Sequence, residues 1–72
     1  MQRYANHHGD SPITGFELRP DAVVVEFNHD RTYVYSHRKA GALHVARMKL
    51  LAVAGRGLGT YISQHVHDLY DR

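Results

Sequence analysis

The spacing of apolar residues changes at Ser36, and this change constrains the fold more than any other feature of the 72-residue chain. Before Ser36, apolar and β-branched residues form short runs and alternations, which are typical of β-strands. After Ser36 they recur at intervals of three and four residues, which is typical of amphipathic helices. Strands followed by helices predict an α+β domain in which the helices cover one face of an antiparallel sheet.

Three strands are predicted in the first half of the chain. Residues 11–19 alternate loosely, residues 22–27 contain three consecutive valines, and residues 31–35 combine β-branched with aromatic types. Short turns between these segments predict a three-stranded antiparallel β-meander. Residues 1–10 are polar, and we expect them to form a flexible N-terminal tail ahead of a single domain over residues 11–72.

The length of the loop between the second and third strands decides which way two tyrosines face. Tyr33 and Tyr35 are two residues apart on a strand, so they share one face of the sheet. A two-residue loop pairs Val25 with Val34 and directs both rings away from the core. A three-residue loop pairs Val25 with Tyr33 and directs both rings inward. We favour the two-residue loop and therefore expect an outward tyrosine pair.

The first helix is predicted over residues 39–54. Its regularly spaced apolar residues are expected to face the core, and they are Leu43, Ala46, Leu50, Val53 and Ala54. The opposite side is more apolar than a solvated face should be, and it contains Val45, Met48 and Ala52. We expect the second helix or a partner molecule to cover that side.

The second helix is predicted over residues 60–69, with Ile62, Val66 and Leu69 as its apolar stripe. The glycine-rich segment 55–59 links the two helices, and Gly55 suits the left-handed position that ends a helix. This segment is either a tight turn with Leu58 in the core or a backbone contact for phosphate. The residues expected in the helical part of the core are Leu43, Leu50, Leu58 and Ile62.

Basic residues surround the third strand and the first helix. They are Arg31, Arg38, Lys39, Arg47, Lys49 and Arg56. Cations beside exposed aromatic rings are the combination that nucleic-acid modules use, because the rings stack on bases while the cations contact phosphates. The residues predicted to bind nucleic acid are Tyr33, Tyr35, Arg31, Lys49, Arg56 and Gly57.

Catalytic and metal-binding patterns are scarce in this sequence. The chain has no cysteine, and its serines lie in no nucleophile motif. His65 and His67 are two residues apart, whereas a pair of zinc ligands on a helix needs a spacing of four. We therefore predict no enzyme, no catalytic residue, no metal site and no cofactor.

Composition and charge favour a cytoplasmic protein. The absence of cysteine fits a reducing compartment, and no apolar run approaches the ~20 residues that span a bilayer. The N-terminal residues lack the apolar stretch of a secretion signal. A formal net charge of +2 and a pI of about 9.2 permit binding to polyanions.

The order of motifs resembles the KTSC domain family. The likeness comprises Ser11-x-Ile13, a strand that ends in Val25-Glu26-Phe27, the pair Tyr33-x-Tyr35, and a helix that closes in Gly55-x-Gly57-Leu58. It covers about residues 11–70 and continues through Tyr61-Ile62. Gly59 departs from the asparagine that often follows Gly-Leu in this family.

The KTSC family is named for its place at the C-terminus of some lysyl-tRNA synthetases, and it also occurs as free-standing bacterial proteins. The resemblance therefore implies a small domain that binds RNA, with tRNA among the candidates. The alternative is a protein-interaction module that docks a partner, or a second copy, through the Val45, Met48 and Ala52 face or through an open sheet edge. The sequence leaves the partner and the oligomeric state open.

Overall fold

The computed structural model describes residues 1–71 and has an α+β architecture. Four antiparallel strands form one sheet in the order β1 (Gln2–Arg3), β2 (Ile13–Arg19), β3 (Ala22–Phe27) and β4 (Arg31–Ser36). Helix α1 (Ala42–Ala54) is followed by α2 (Leu58–Tyr61), which continues directly into a π-helix (Ile62–Val66). We refer to α2 and the π-helix together as the second helical segment. The predicted fold class is confirmed.

The predicted number of strands is wrong by one, because residues 2 and 3 also join the sheet. Gln2 pairs with Phe16, and Arg3 pairs with Gly15. The next residue, Tyr4, is buried, and its N–H donates a hydrogen bond to the carbonyl of Thr14. The segment that was expected to be a tail therefore contributes a strand and a core side chain. A two-residue polar strand has no period that a sequence pattern can detect.

The loop between β3 and β4 has three residues, so the favoured two-residue register is wrong. Val25 pairs with Tyr33, and Phe27 pairs with Arg31. Asn28 and His29 have φ values of 55° and 62°, in the left-handed region that asparagine and histidine tolerate better than most residue types. The shift by one residue turns Tyr33 and Tyr35 toward the same face as the core residues Val23 and Val25.

Helix α1 faces the sheet with the side opposite to the one predicted. Its buried residues are Val45, Met48 and Ala52, whereas Leu43, Leu50 and Val53 are 88%, 68% and 65% exposed. The prediction that Leu43 and Leu50 belong to the core is therefore wrong. The face proposed as a docking site for a partner is also wrong, because it lies inside the domain.

The connections at the two ends of α1 give the physical reason for this rotation. Ala40, just before the helix, and Leu58, just after it, are both buried in the same core cluster as Val45. Gly55 ends the helix at a φ of 78°, and a Cβ atom there would lie 2.7 Å from the Ala5 side chain. These anchors set which side of α1 contacts the sheet, and Val45, Met48 and Ala52 fill the space between them.

The second helical segment follows its predicted orientation. Leu58 is fully buried, Ile62 is 7% exposed and Val66 is fully buried, so the predicted core positions Leu58 and Ile62 are confirmed. The segment begins two residues earlier than predicted and ends at Val66.

Between Met1 and Asp71, no helix has the length and hydrophobicity that a membrane crossing requires.

The β4 edge of the sheet is partly covered by the end of the chain. The N–H of Asp71 donates a hydrogen bond to the carbonyl of Val34 at 2.7 Å. The Ser36 hydroxyl donates to the Asp71 carboxylate, also at 2.7 Å. The carbonyl of Val34, at the centre of β4, is therefore not available to an added strand, and the Ser36–Asp71 contact holds the end of the chain beside this edge.

Candidate functional site

A cleft of about 980 Å³ opens on the surface of the domain. Three parts of the chain form its walls: the segment after β1, the β3–β4 hairpin, and the second helical segment with the glycine turn that precedes it. Residues from the first part are Tyr4, Asn6, His8, Asp10, Ser11 and Pro12. Residues from the other two parts include Phe27, Arg31, Tyr33, Tyr35, Arg56, Gly57, Ser63 and Gln64, and Tyr70, which follows the second helical segment, also lines the cleft.

A cluster of aromatic rings forms the floor of this cleft. The Tyr33 ring lies 5.5 Å from the Phe27 ring and 4.7 Å from the Tyr70 ring, measured between centroids, and both pairs meet edge to face. Tyr35 lies 6.3 Å from Tyr70 in a similar arrangement. Edge-to-face pairs at these distances stabilise one another beyond the effect of buried area. The floor is therefore a connected aromatic surface.

Tyr33 and Tyr35 differ in accessibility, although they share a face. Tyr33 is half-buried, whereas Tyr35 is 2% exposed. The expected outward platform is therefore wrong for both rings. Tyr35 is part of the core beneath the cleft, while Tyr33 and Tyr70 retain partial exposure at its surface.

Burial, with a smaller contribution from the neighbouring Tyr33 and Tyr70 phenols, raises the pKa of Tyr35 to about 12. Desolvation disfavours the phenolate, because the ion loses its hydration shell. Tyr35 consequently remains a neutral phenol at physiological pH. Its contribution to the cleft is a fixed aromatic support and a neutral hydroxyl group.

Two arginines lie at the surface of the cleft. Arg31 begins β4, and Arg56 lies in the glycine turn; both are exposed. Within residues 1–71, the side chain of neither arginine is in an ion pair or a hydrogen bond. Their charges are therefore free to attract an anion. Gly57, at a φ of 79°, also lines the cleft beside Arg56.

Lys49 is the one predicted binding residue that lies away from the cleft. Its ammonium group donates a hydrogen bond to the carbonyl of Arg19, at the end of β2. Position 49 lies on the flank of α1, and the long side chain reaches across to the sheet. Five of the six predicted residues thus line one cleft, and Lys49 is separate from them.

Tyr4 and Tyr70 also line the cleft, and sequence reasoning missed both. The Tyr4 hydroxyl accepts a hydrogen bond from the N–H of Leu58 at 3.3 Å, which joins the segment after β1 to the start of α2. This contact also occupies a backbone N–H of the glycine turn that phosphate was considered to bind. A single aromatic residue in an otherwise polar segment was the available signal for Tyr4.

A cluster of two histidines and a tyrosine lies outside the cleft, between α1 and the second helical segment. His44 Nδ1 is 2.7 Å from the Tyr61 hydroxyl, and the Tyr61 ring lies 4.5 Å from the His65 ring. The ring centroids of His44 and His65 are 6.0 Å apart. Among residues 1–71, no group of three or more His, Cys, Asp or Glu side chains could hold a metal ion.

Comparisons with protein-family models, with curated proteins and with solved structures return no match to this chain. The likeness to the KTSC family therefore rests on the order of the motifs in the sequence.

Proposed function

We propose that this protein is a small, non-catalytic domain that binds single-stranded RNA in the cleft. The observation that carries the proposal is the convergence of Arg31, Arg56, Gly57 and the tyrosine pair, which are distant in sequence, on one concave surface. Aromatic rings beside unpaired cations are the combination that single-stranded nucleic acids require.

The dimensions of the cleft favour an unstacked nucleotide over a duplex. Its volume of about 980 Å³ is at the upper end of pockets that bind small molecules. A single base could enter the cleft and contact the partly exposed rings of Tyr33 and Tyr70. A rigid RNA double helix is too wide to enter it. Base edges would meet polar side chains of the second helical segment, including Ser63 and Gln64.

The arginines would supply most of the affinity through phosphate contacts. Arg31 and Arg56 come from the hairpin and the glycine turn, on different walls of the cleft. A strand that crosses the cleft would therefore meet one cation from each wall. Gly57 presents no side chain, so the RNA backbone could approach the turn closely. In this proposal Tyr35 supports the Tyr33 ring and does not itself stack on a base.

The KTSC resemblance supports the same proposal, since it implies an RNA-binding domain associated with tRNA chemistry. We infer that the domain works in the cytoplasm, without a cofactor. The sheet and helices supply the walls of the cleft, and the exposed arginines select a polyanionic ligand. Transfer RNA is a suitable first ligand because it offers single-stranded loops and a single-stranded end.

A fluorescence titration against a single-stranded RNA and a tRNA tests the proposal, at about 50 mM and about 200 mM salt. We expect Arg31→Gln and Arg56→Gln each to weaken binding and to reduce the salt dependence by about one phosphate contact. Arg38→Gln is the matched control, because Arg38 is an exposed arginine that does not line the cleft. Its affinity should equal that of the unmodified protein.

Two results would contradict the proposal. The first is the absence of RNA binding at the lower salt concentration. The second is an equal loss of affinity in the Arg38→Gln and Arg56→Gln variants, since this would indicate attraction to net charge and not to the cleft. A Tyr33→Leu variant adds a test of stacking, with an expected loss of about 1–3 kcal/mol in binding free energy. Its thermal unfolding is measured in parallel, so that loss of fold is distinguished from loss of contact.

A further inference from the structure

The outer face of α1 carries a stripe of exposed aliphatic side chains. We define this outer face as Leu43, Ala46, Leu50 and Val53. Leu43 is 88% exposed, Leu50 is 68% exposed and Val53 is 65% exposed. None of the four residues lines the cleft. Intervals of three, four and three residues place them along one side of the helix.

The fold itself gives no reason for leucines at these positions. The core contact of α1 is made by Val45, Met48 and Ala52 on the opposite side of the helix. Single exposed leucines are normal on protein surfaces, but a contiguous apolar stripe marks an interaction surface. The spacing matches the a and d positions of a heptad, through which one helix packs against another. The shape of this surface thus fits an amphipathic helix.

The charges beside the outer face identify the kind of helix that fits. Helix α1 contains no acidic residue; of its two cations, Lys49 reaches to the Arg19 carbonyl on the sheet, which leaves Arg47 beside the outer face. Arg47 is exposed and follows Ala46 on the stripe, and the preceding turn adds the exposed cations Arg38 and Lys39. Charges that flank a helix seam select partners of opposite sign. A complementary helix would therefore carry Asp or Glu beside its apolar stripe.

The same charges argue against two other occupants. A second copy of this chain would bring two α1 helices together, and each carries cations without any acidic residue to pair with them. An anionic lipid surface would satisfy the charges, but the outer face has no aromatic residue to anchor it at a membrane interface. With 13 residues, α1 is about 20 Å long, which suits a short helix and a transient complex.

We propose that the outer face of α1 docks an acidic amphipathic helix of another protein. This docking surface is separate from the cleft, so a partner and RNA can bind at the same time. The cleft would then hold the nucleic acid, while the partner helix would bring a second protein to it. The docking proposal does not depend on RNA binding.

Two designed helical peptides test the docking proposal by fluorescence anisotropy. Both have about 14 residues, to match α1, with leucines at heptad positions a and d. One carries glutamate at the flanking positions, and the other carries lysine. We expect the acidic peptide to bind at least about tenfold more tightly than the basic peptide. The double variant Leu43→Gln/Leu50→Gln should bind the acidic peptide about tenfold or more weakly than the unmodified protein.

Two further variants separate apolar docking from general charge attraction. Arg47→Glu should lower the affinity for the acidic peptide and raise the affinity for the basic peptide. Leu18→Gln is the matched control, because Leu18 is 40% exposed but lies on β2, and the variant should bind like the unmodified protein. Thermal midpoints should remain unchanged for Leu43→Gln/Leu50→Gln, since both leucines are exposed.

Several results would overturn the docking proposal. Equal affinity for the two peptides, or binding that survives Leu43→Gln/Leu50→Gln, would remove the evidence for a complementary helix. Self-association that is abolished by Leu50→Gln in sedimentation experiments would assign the surface to a second copy. Binding of phosphatidylserine vesicles through the same leucines, with no binding of the acidic peptide, would assign it to a membrane surface.

Discussion

The two helical segments use apolar residues in different ways. Helix α1 is apolar on both sides: Val45, Met48 and Ala52 are buried, while Leu43, Leu50 and Val53 are exposed. The second helical segment is apolar on one side only. Leu58, Ile62 and Val66 are buried there, and Ser63, Gln64 and His65 face solvent.

This difference explains why the orientation of one segment is readable from the sequence and that of the other is not. Polar residues mark the solvent side of the second helical segment, so its apolar stripe has one possible direction. In α1, both sides satisfy the helical period, and the larger leucines suggest the wrong one. An apolar residue that the core does not need is thus a signal of interaction, which periodicity alone cannot separate from a signal of packing.

A leucine-to-alanine substitution in the second helical segment has the largest expected effect. Leu58 is fully buried in the core cluster. Leu58→Ala should reduce the free energy of unfolding by about 2–5 kcal/mol, because it removes apolar contacts and leaves a cavity. Chemical denaturation measures this loss. A decrease below about 1 kcal/mol would mean that the glycine turn does not hold Leu58 in the core.

A pair of enlarging substitutions sharpens the comparison within α1. Ala52 is 1% exposed, whereas Ala46 is exposed on the outer face. Ala52→Leu should destabilise the domain by about 1–3 kcal/mol, because the added atoms have no space between the helix and the core. Ala46→Leu should leave stability nearly unchanged. The opposite ranking in denaturant midpoints would show that α1 is rotated to the predicted face.

Most of the fold follows from local patterns in the sequence. The segments Ile13–Arg19, Ala22–Phe27 and Arg31–Ser36 are strands, as their composition predicts, and the helical period after Ser36 is also confirmed. Strand β1 is different, because Gln2 and Arg3 become a strand only by pairing with β2. Tertiary hydrogen bonds of this kind leave no local signature.

The register of the β3–β4 hairpin shows a second limit of the sequence. The two loop lengths differ by one residue, and either is compatible with the polar residues between the strands. The choice is made by packing, because the three-residue loop places Tyr35 in the core beside Val23. Five of the six predicted site residues still meet in the cleft. Arg31 lies on the same face of β4 as the two tyrosines, so the register places all three together. Arg56 and Gly57 lie in the glycine turn, outside the hairpin.

The tyrosine cluster connects the second helical segment to the sheet, and pH can probe this connection. Tyr70 follows that segment and contacts Tyr35, whose pKa is raised to about 12. The folded state therefore favours the neutral phenol. Its stabilising effect is complete below pH 10 and is lost as the pH rises from about 10 toward about 12.

The expected consequence is a decrease in unfolding free energy over this alkaline range of about 1.4 kcal/mol per pH unit from Tyr35. Other tyrosines and the lysines titrate in the same range, so Tyr35→Phe serves as the reference. The variant should lose stability less steeply than the unmodified protein in denaturation experiments between pH 9 and about pH 12. Parallel curves for the two proteins would show that Tyr35 titrates freely in the folded state.

The smallest effect is expected for Leu50→Ala, which makes in α1 the same change that Leu58→Ala makes in the second helical segment. Leu50 is 68% exposed, so Leu50→Ala removes few contacts and creates no cavity. We expect the free energy of unfolding to change by less than about 0.5 kcal/mol, aided by the high helix propensity of alanine. The contrast with Leu58→Ala isolates burial, since the residue type and the substitution are identical. A loss of about 2 kcal/mol or more would place Leu50 in a core, either within this chain or in an oligomer. Sedimentation of the same variant distinguishes these cases, because only an oligomer would dissociate.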